Sequence, residues 1–219
     1  MSNTLANARA HLIFDPVELK YDFGPDHPMQ PRRLLALIDL LECCGLWQHN
    51  NDQQKRLSLR PATLDELGLV HTPDYIAAVQ QLSVPETAGR SKEEREAREN
   101  LALKYGFGEG DTPALPGMHE VAARIAGSTL VALSAVMGLP EGGTFDAENE
   151  RPLHVFYPAG GLHHAWAELA SGFCIYNDIS VGIGHVLRAS EAKVLYIDFD
   201  AHHGDGVQRS FYDERVVLI

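Results

Sequence analysis

One stretch, residues 194–206, constrains the fold more than any other part of the chain. It begins with a short apolar run, VLYIDF, whose β-branched and aromatic residues are typical of a buried strand. It then changes at once to acids, histidines and glycines, DAHHGDG. Ligands in open α/β sheets bind beyond the carboxyl ends of strands, so this junction predicts both an α/β fold and a functional site.

The polar half of this stretch has the side chains of a metal site. Asp200 and His202 are two residues apart, and in an extended chain such residues point the same way. A carboxylate beside an imidazole suits a divalent metal, zinc first. Asp198 points the same way one step deeper, where it could accept a hydrogen bond from a histidine. The alternative is an N-capped polar turn, which fits so many acids and histidines poorly.

A second stretch repeats this pattern. The apolar residues 155–157 lead into PAGGLHH, which ends in His163 and His164. Parallel strands place their carboxyl ends at one edge of a sheet, so we expect the two motifs to converge on one pocket. Together they supply what metal-assisted hydrolysis needs: metal ligands, a general base, and carboxylates that orient histidines.

The alternation of short apolar runs and helical segments predicts an α/β fold: a parallel sheet with helices on both faces, in a single domain over residues 1–219. Strands are expected near residues 11–14, 153–157, 194–199 and 216–219. Helices are expected from Pro31 to Gly45, over 63–82 with a break at 70–75, and over 92–103, 117–137 and 178–189, with 139–151 as a loop.

Composition narrows the functional classes. A net charge of −12 without a basic cluster argues against nucleic-acid binding. No apolar run approaches the ~18 residues of a membrane span, and the N-terminus lacks the apolar core of a signal peptide, so a cytoplasmic protein with no membrane partner is expected. The three cysteines form no disulfide framework or metal motif.

These motifs resemble those of the histone deacetylase family, especially its bacterial acetoin-utilisation-protein branch. The resemblance rests on GGLHH at 160–164, ASGFC with Asn177 and Asp178, and DFDAHHGDG at 198–206. DHPMQP at 26–31 and GDTP at 110–113 occur in the family's order too. The resemblance implies the arginase-deacetylase fold and zinc-dependent hydrolysis of an acetyl-amide, either acetyl-lysine or an acetylated polyamine or other small amine.

The resemblance also implies catalytic roles for four residues. His163 and His164 match the family's tandem catalytic histidines, and Asp198 and Asp205 match the acids that partner the first and the second of them. One histidine would take a proton from water and the pair would protonate the leaving amine, and the sequence leaves open which histidine does which.

Metal and substrate contacts are implied in the same way. Asp200 and His202 match two of the family's three zinc ligands, and main-chain oxygens at the same strand end match a structural potassium site. Gly172 and Phe173 match residues that line the acyl-lysine tunnel, and Asp111 matches the rim acid that holds the substrate backbone.

The family's third zinc ligand and its transition-state tyrosine lie downstream of residue 206. The sequence ends in VVLI, which resembles the middle of a buried strand, so we expect an incomplete N-terminal portion that holds zinc weakly and does not deacetylate alone. One alternative is a deacetylase-like binding or regulatory module without turnover. Another is an arginase-like binuclear hydrolase, against which the GLHH motif weighs.

Overall fold

The computed structural model describes residues 10–47, 57–86, 90–108, 110–139, 154–213 and 217–218. Strands and helices alternate along the second half of the chain, as the sequence predicts. The elements in chain order are β1 (Ala10–Leu12), a 3-10 helix (Pro16–Lys20), α1 (Arg32–Cys43), α2 (Leu64–Leu67), α3 (Pro73–Ser83), α4 (Lys92–Lys104), α5 (Met118–Met137), β2 (His154–Phe156), α6 (Asp178–Ala189), β3 (Val194–Leu195), α7 (Asp205–Phe211) and β4 (Val217–Leu218).

The strands form parallel pairs, as predicted. β1 pairs with β2 in the register Ala10 to His154, and β3 pairs with β4 in the register Val194 to Val217. Within the described ranges these are two separate pairs rather than one continuous sheet. The prediction that β3 extends to residue 199 is wrong: residues 196–199 have no ladder partner among the described residues, and Phe199 is 95% exposed.

The helix α5 forms the centre of the core. Its Ala, Val, Ile and Gly residues allow close approach, and it packs against α3, α6 and the 3-10 helix. Of the described helices, it is the one long and apolar enough to cross a bilayer, against the expectation that no segment approaches that length. However, 67% of its most apolar 18-residue stretch is buried inside the protein, as is usual for a helix in a protein core.

The predicted helices are present with shifts of a few residues at most, and their caps explain where they begin. The Ser91 hydroxyl accepts from the Glu94 amide at 3.2 Å, and the Glu94 carboxylate accepts from the Ser91 amide at 2.7 Å, which confirms the capping box of α4. The Thr72 side chain caps α3 after the predicted break. Sequence patterns missed α7, which is short and contains Gly206 in its first turn. The loop predicted for 139–151 lies outside the described residues beyond Leu139.

Candidate active site

The first histidine loop, residues 157–177, is held in place by a carboxylate at the start of α6. Asp178 is fully buried and accepts hydrogen bonds from the amides of Gly161 (3.1 Å) and Leu162 (2.7 Å) and from the Thr129 hydroxyl (2.6 Å). Burial raises the pKa of Asp178, and these hydrogen bonds oppose that shift. Asp178 therefore fixes the glycine turn that presents His163, a role that the sequence analysis did not give it.

A buried pair, Asn177 and His71, holds the other side of this loop. The Asn177 amide nitrogen donates to the carbonyls of Ala165 (3.0 Å) and His163 (3.3 Å). The His71 Nε2 accepts from the Asn177 backbone N–H at 3.0 Å, so its Nδ1 carries the proton and donates to the Trp166 carbonyl at 3.0 Å. Burial lowers the pKa of His71 to about 4, which keeps this ring neutral.

The second motif packs directly on the first through Gly206. A Cβ at this position would lie 2.4 Å from the Ala165 carbonyl oxygen and 2.6 Å from that of His163. Because only glycine fits so close to another backbone, the start of α7 can approach the histidine loop. This contact brings Asp205, the first residue of α7, within reach of His164.

The structure pairs each tandem histidine with its own carboxylate. The His163 Nδ1 lies 2.7 Å from Asp198 Oδ2, and the His164 Nδ1 lies 2.7 Å from Asp205 Oδ1. The two imidazole ring centroids are 4.1 Å apart. The predicted pairing of these four side chains in one place is confirmed.

The Asp198 carboxylate is also bound by donors from its own segment. The Tyr196 hydroxyl donates to the same Oδ2 that faces His163, and the Asp200 amide donates to Oδ1 at 2.9 Å. Burial alone would raise the pKa of Asp198, but the hydrogen bonds from Tyr196, His163 and the Asp200 amide lower it to about 2. The ionised carboxylate accepts Nδ1–H, so Nε2 is the His163 nitrogen left to exchange a proton.

Asp205 has the corresponding arrangement for His164. Its second oxygen, Oδ2, accepts from the Trp166 indole N–H at 2.8 Å. Burial acts to raise the pKa of Asp205, and the hydrogen bonds from His164 and Trp166 outweigh it, so the pKa lies below its usual value. The sequence analysis singled out neither Trp166, which reaches Asp205 from a separate loop, nor Tyr196, which lies two residues from Asp198.

The two predicted metal ligands lie side by side next to the tandem histidines. Asp200 Oδ1 and His202 Nδ1 are 3.1 Å apart, and the His202 ring centroid is 6.1 Å from that of His164. Two donors about 2.1 Å from a tetrahedral zinc ion would lie roughly 3.4 Å apart, so this pair fits zinc with little adjustment. Among the residues that the structure describes, no cluster of three or more such ligands is present.

Gly172 and Phe173 form a tight turn beside the histidines. Backbone hydrogen bonds of 3.1 and 2.8 Å close residues 171–174, and the central φ angles of +51° and +71° are those of a type I′ turn. A positive φ is uncommon for phenylalanine. Both backbone groups of Phe173 are held: its N–H donates to the Thr112 hydroxyl at 3.0 Å, and its carbonyl accepts from the Tyr21 hydroxyl at 2.6 Å.

Asp111, the predicted rim acid, is exposed and lies next to this turn. Its carbonyl oxygen is 3.1 Å from the His27 Nε2, and the His27 Nδ1 accepts from the Met29 amide at 3.0 Å. The His27 ring also contacts the Phe173 ring edge to face, with centroids 4.6 Å apart. His27 therefore ties together two of the three predicted substrate-contact residues, a role that no sequence pattern indicated.

The structure therefore combines parallel strand pairing with two His–Asp pairs beside Asp200 and His202, two side chains of the kind that can bind a metal. The chain belongs to the histone deacetylase family, because the family model described as "Histone deacetylase domain" matches residues 27–219.

Similar curated proteins carry the name "Acetoin utilization protein AcuC". The one from Bacillus subtilis (strain 168) is 41% identical over 201 residues, and the one from Staphylococcus xylosus is 38% identical over 202 residues. Each alignment covers 92% of this chain and 46% of the relative, so the chain spans about half the length of the curated relatives it matches.

Solved structures agree with the fold. A crystal structure of an HDAC homolog from Aquifex aeolicus matches with a TM-score of 0.74 and 32% identity, covering 95% of this chain and 49% of that chain. An HDAC homolog complexed with SAHA matches with a TM-score of 0.71 and 30% identity, covering 96% and 49%.

Proposed function

We propose that the whole protein is a zinc-dependent deacetylase that hydrolyses an acetyl-amide to acetate and a free amine. The observation that carries this proposal is the pair of adjacent histidines, each 2.7 Å from its own carboxylate, beside Asp200 and His202. Membership of the histone deacetylase family supports it. We propose a cytoplasmic location for this reaction. By the resemblance alone, we also assign a potassium site to the main-chain oxygens near Asp198.

Asp200 and His202 would hold the zinc, which when bound supplies Lewis-acid polarisation of the acetyl carbonyl and lowers the pKa of water. The chain's own groups handle the protons. The Nε2 atoms of His163 and His164 take the proton from the attacking water and return one to the departing amine. The carboxylates of Asp198 and Asp205 hold both rings by Nδ1 and stabilise the imidazolium forms, as the acid of a catalytic triad does.

Substrate would reach these groups past the rim formed by Asp111, Gly172 and Phe173. The Asp111 carboxylate is exposed and suits a backbone N–H or an amine of the substrate, while the Phe173 ring suits an alkyl chain. Acetyl-lysine and acetylated polyamines share these two features, an alkyl chain and a polar distal end. We therefore propose that the substrate belongs to this chemical group.

The second candidate is a binding or regulatory module, and it applies to residues 1–219 taken alone. Two protein donors are fewer than the three that catalytic zinc sites usually have, and no larger ligand cluster occurs in the described part of the chain. We expect this shorter chain to bind zinc weakly and to lack turnover.

Acetate release from an acetyl-lysine peptide and from an acetylated polyamine tests both candidates. The full-length gene product and the 219-residue chain are assayed with added zinc, with and without SAHA. We expect SAHA-sensitive turnover by the former and none by the latter. His164→Asn should abolish turnover, whereas His154→Asn, at an exposed position on β2, should not change it. Full activity of His164→Asn would contradict the proposed mechanism, and equal turnover by both chains would contradict the second candidate.

A further inference from the structure

We propose that Trp166 is a positioning residue that holds Asp205 for His164, and that Arg209 holds the Trp166 ring. This inference rests on the proposed function, because it matters for catalysis only if His164 exchanges protons with the substrate. It starts from the hydrogen bonds of Asp205. One carboxylate oxygen faces His164 Nδ1 at 2.7 Å, and the other accepts from the Trp166 indole N–H at 2.8 Å.

Because both Asp205 oxygens accept a hydrogen bond, a partial rotation of the carboxylate about its Cβ–Cγ bond would break at least one of them. The Asp205 side chain is 38% exposed, so water competes for any oxygen that the protein does not bind. The indole N–H can only donate, and in one direction, so it fixes the position of the carboxylate oxygen that accepts from it. Trp166 therefore selects the rotamer in which Asp205 aims the His164 ring.

Trp166 is itself held from three sides. The Trp166 backbone carbonyl accepts from the His71 ring at 3.0 Å, and the Trp166 backbone N–H donates to the Leu169 carbonyl at 2.9 Å. The Arg209 guanidinium carbon lies 4.3 Å from the centroid of the indole ring, in a cation–π contact. Arg209 is one turn beyond Asp205 on α7, so the indole ring lies against both side chains of the same helix face.

The other histidine has a different arrangement, which makes the role of Trp166 specific to His164. Asp198 receives a hydroxyl donor from Tyr196, two residues away on its own segment, and the backbone amide of Asp200. Asp205 instead depends on a side chain from the histidine loop, 39 residues earlier in the chain. Loss of Trp166 should therefore loosen the His164–Asp205 pair and leave the His163–Asp198 pair intact.

The test is Trp166→Phe in the full-length protein, which removes the N–H and keeps an aromatic ring for Arg209. We expect kcat to fall about 10-fold with KM within a factor of two, as for other residues that orient a functional histidine indirectly. The matched control is Trp47→Phe, since the chain has 2 tryptophans and Trp47 is buried outside the site. An unchanged kcat in Trp166→Phe would overturn the proposal, as would an equal loss in Trp47→Phe.

Nuclear magnetic resonance of the indole N–H groups provides a readout that does not depend on turnover. Trp166→Phe and Trp47→Phe assign the indole signals of Trp166 and Trp47. Changing Asp205 to Asn should then shift the Trp166 signal upfield, because a charged acceptor is lost, whereas Asp198→Asn should not move it. A Trp166 signal that ignores Asp205→Asn would overturn the hydrogen bond itself, even if the protein proved to have no deacetylase activity.

The role of Arg209 is tested by Arg209→Ala, which leaves both hydrogen-bonding side chains in place. We expect a smaller fall in kcat and a broadened Trp166 indole signal. Wild-type values for both would remove Arg209 from the proposal. If Asp205→Asn does not fold, Asp205→Glu replaces it, and its longer side chain should likewise move the Trp166 signal.

Discussion

Gly172→Ala would place a methyl group against the ring of His164, one of the two proposed proton-transfer residues. A Cβ on Gly172 would lie 2.4 Å from His164 Cδ2 and 2.7 Å from its Cγ, whereas ordinary contact begins at 3.4 Å. The ring must therefore move by about 1.0 Å (3.4 − 2.4). The 2.7 Å bond from His164 to Asp205 can lengthen by only about 0.5 Å before it leaves the normal range of hydrogen bonds.

The expected effects are large on rate and moderate on stability. Misplacement of a catalytic group by about 1 Å costs on the order of 10²-fold in rate, so kcat for acetate release should fall by about that factor. Overpacking costs about 1–3 kcal/mol and a non-glycine residue at this positive φ about 1 kcal/mol more, so the free energy of unfolding should fall by about 2–4 kcal/mol.

Gly45→Ala is the matched control. Gly45 has a φ of +66°, and among the described residues no atom lies within 4 Å of its Cβ position, so this variant bears the backbone strain without the collision. The assays are acetate release by the full-length protein and chemical denaturation. We expect Gly45→Ala to lose about 1 kcal/mol of stability and no activity. A Gly172→Ala protein with kcat within a factor of two of the wild type would refute the reasoning.

Three further predictions concern stability and reactivity. Burial lowers the pKa of His71 from 6.5 to about 4, so the unfolded chain binds more protons than the folded chain between these pH values. The free energy of unfolding should therefore fall by up to ~3 kcal/mol as the pH drops from 6.5 to 4. Denaturation at a series of pH values should show a weaker dependence of that free energy on pH for His71→Gln. An unaltered slope in that variant would exclude His71 as the cause. Asp178→Asn turns an acceptor into a donor that faces backbone N–H groups, and urea denaturation should show a loss of about 1.5–3 kcal/mol; a loss below 0.5 kcal/mol would contradict this. A thiol reagent should react fast with the exposed Cys43 and Cys44 and with Cys174 only after unfolding, because burial raises the pKa of the Cys174 thiol to about 12; three fast thiols would refute it.

The parts of the site that were predictable are those that local patterns determine. The side-chain alternation of an extended chain predicted that Asp198, Asp200 and His202 lie together, and the two motifs were predicted to meet. The structure places Asp198 at His163, Asp205 at His164 and Asp200 beside His202, although β2 and β3 belong to separate strand pairs within the described ranges. Helix boundaries followed from caps such as Ser91 with Glu94. These signals act over a few residues, so they can be read from the sequence.

The parts that were missed depend on contacts between distant segments. The Trp166 indole bonds Asp205 across 39 residues, and His27 bonds the Asp111 carbonyl across 84. The predicted extent of β3 was wrong for a related reason, because a strand needs a hydrogen-bonded neighbour. Residues 196–199 have the composition of a strand but no ladder partner in the described ranges. Composition indicates which segments can form strands, and the neighbouring segments decide which of them do.

The most direct test of the proposed metal site is an anomalous-scattering measurement at the zinc edge, on crystals of the full-length protein grown with zinc. We expect one zinc peak bonded to Asp200 and His202, beside His163 and His164. A zinc peak bound elsewhere, or full deacetylase activity in a protein whose Asp200 and His202 bind no metal, would contradict it.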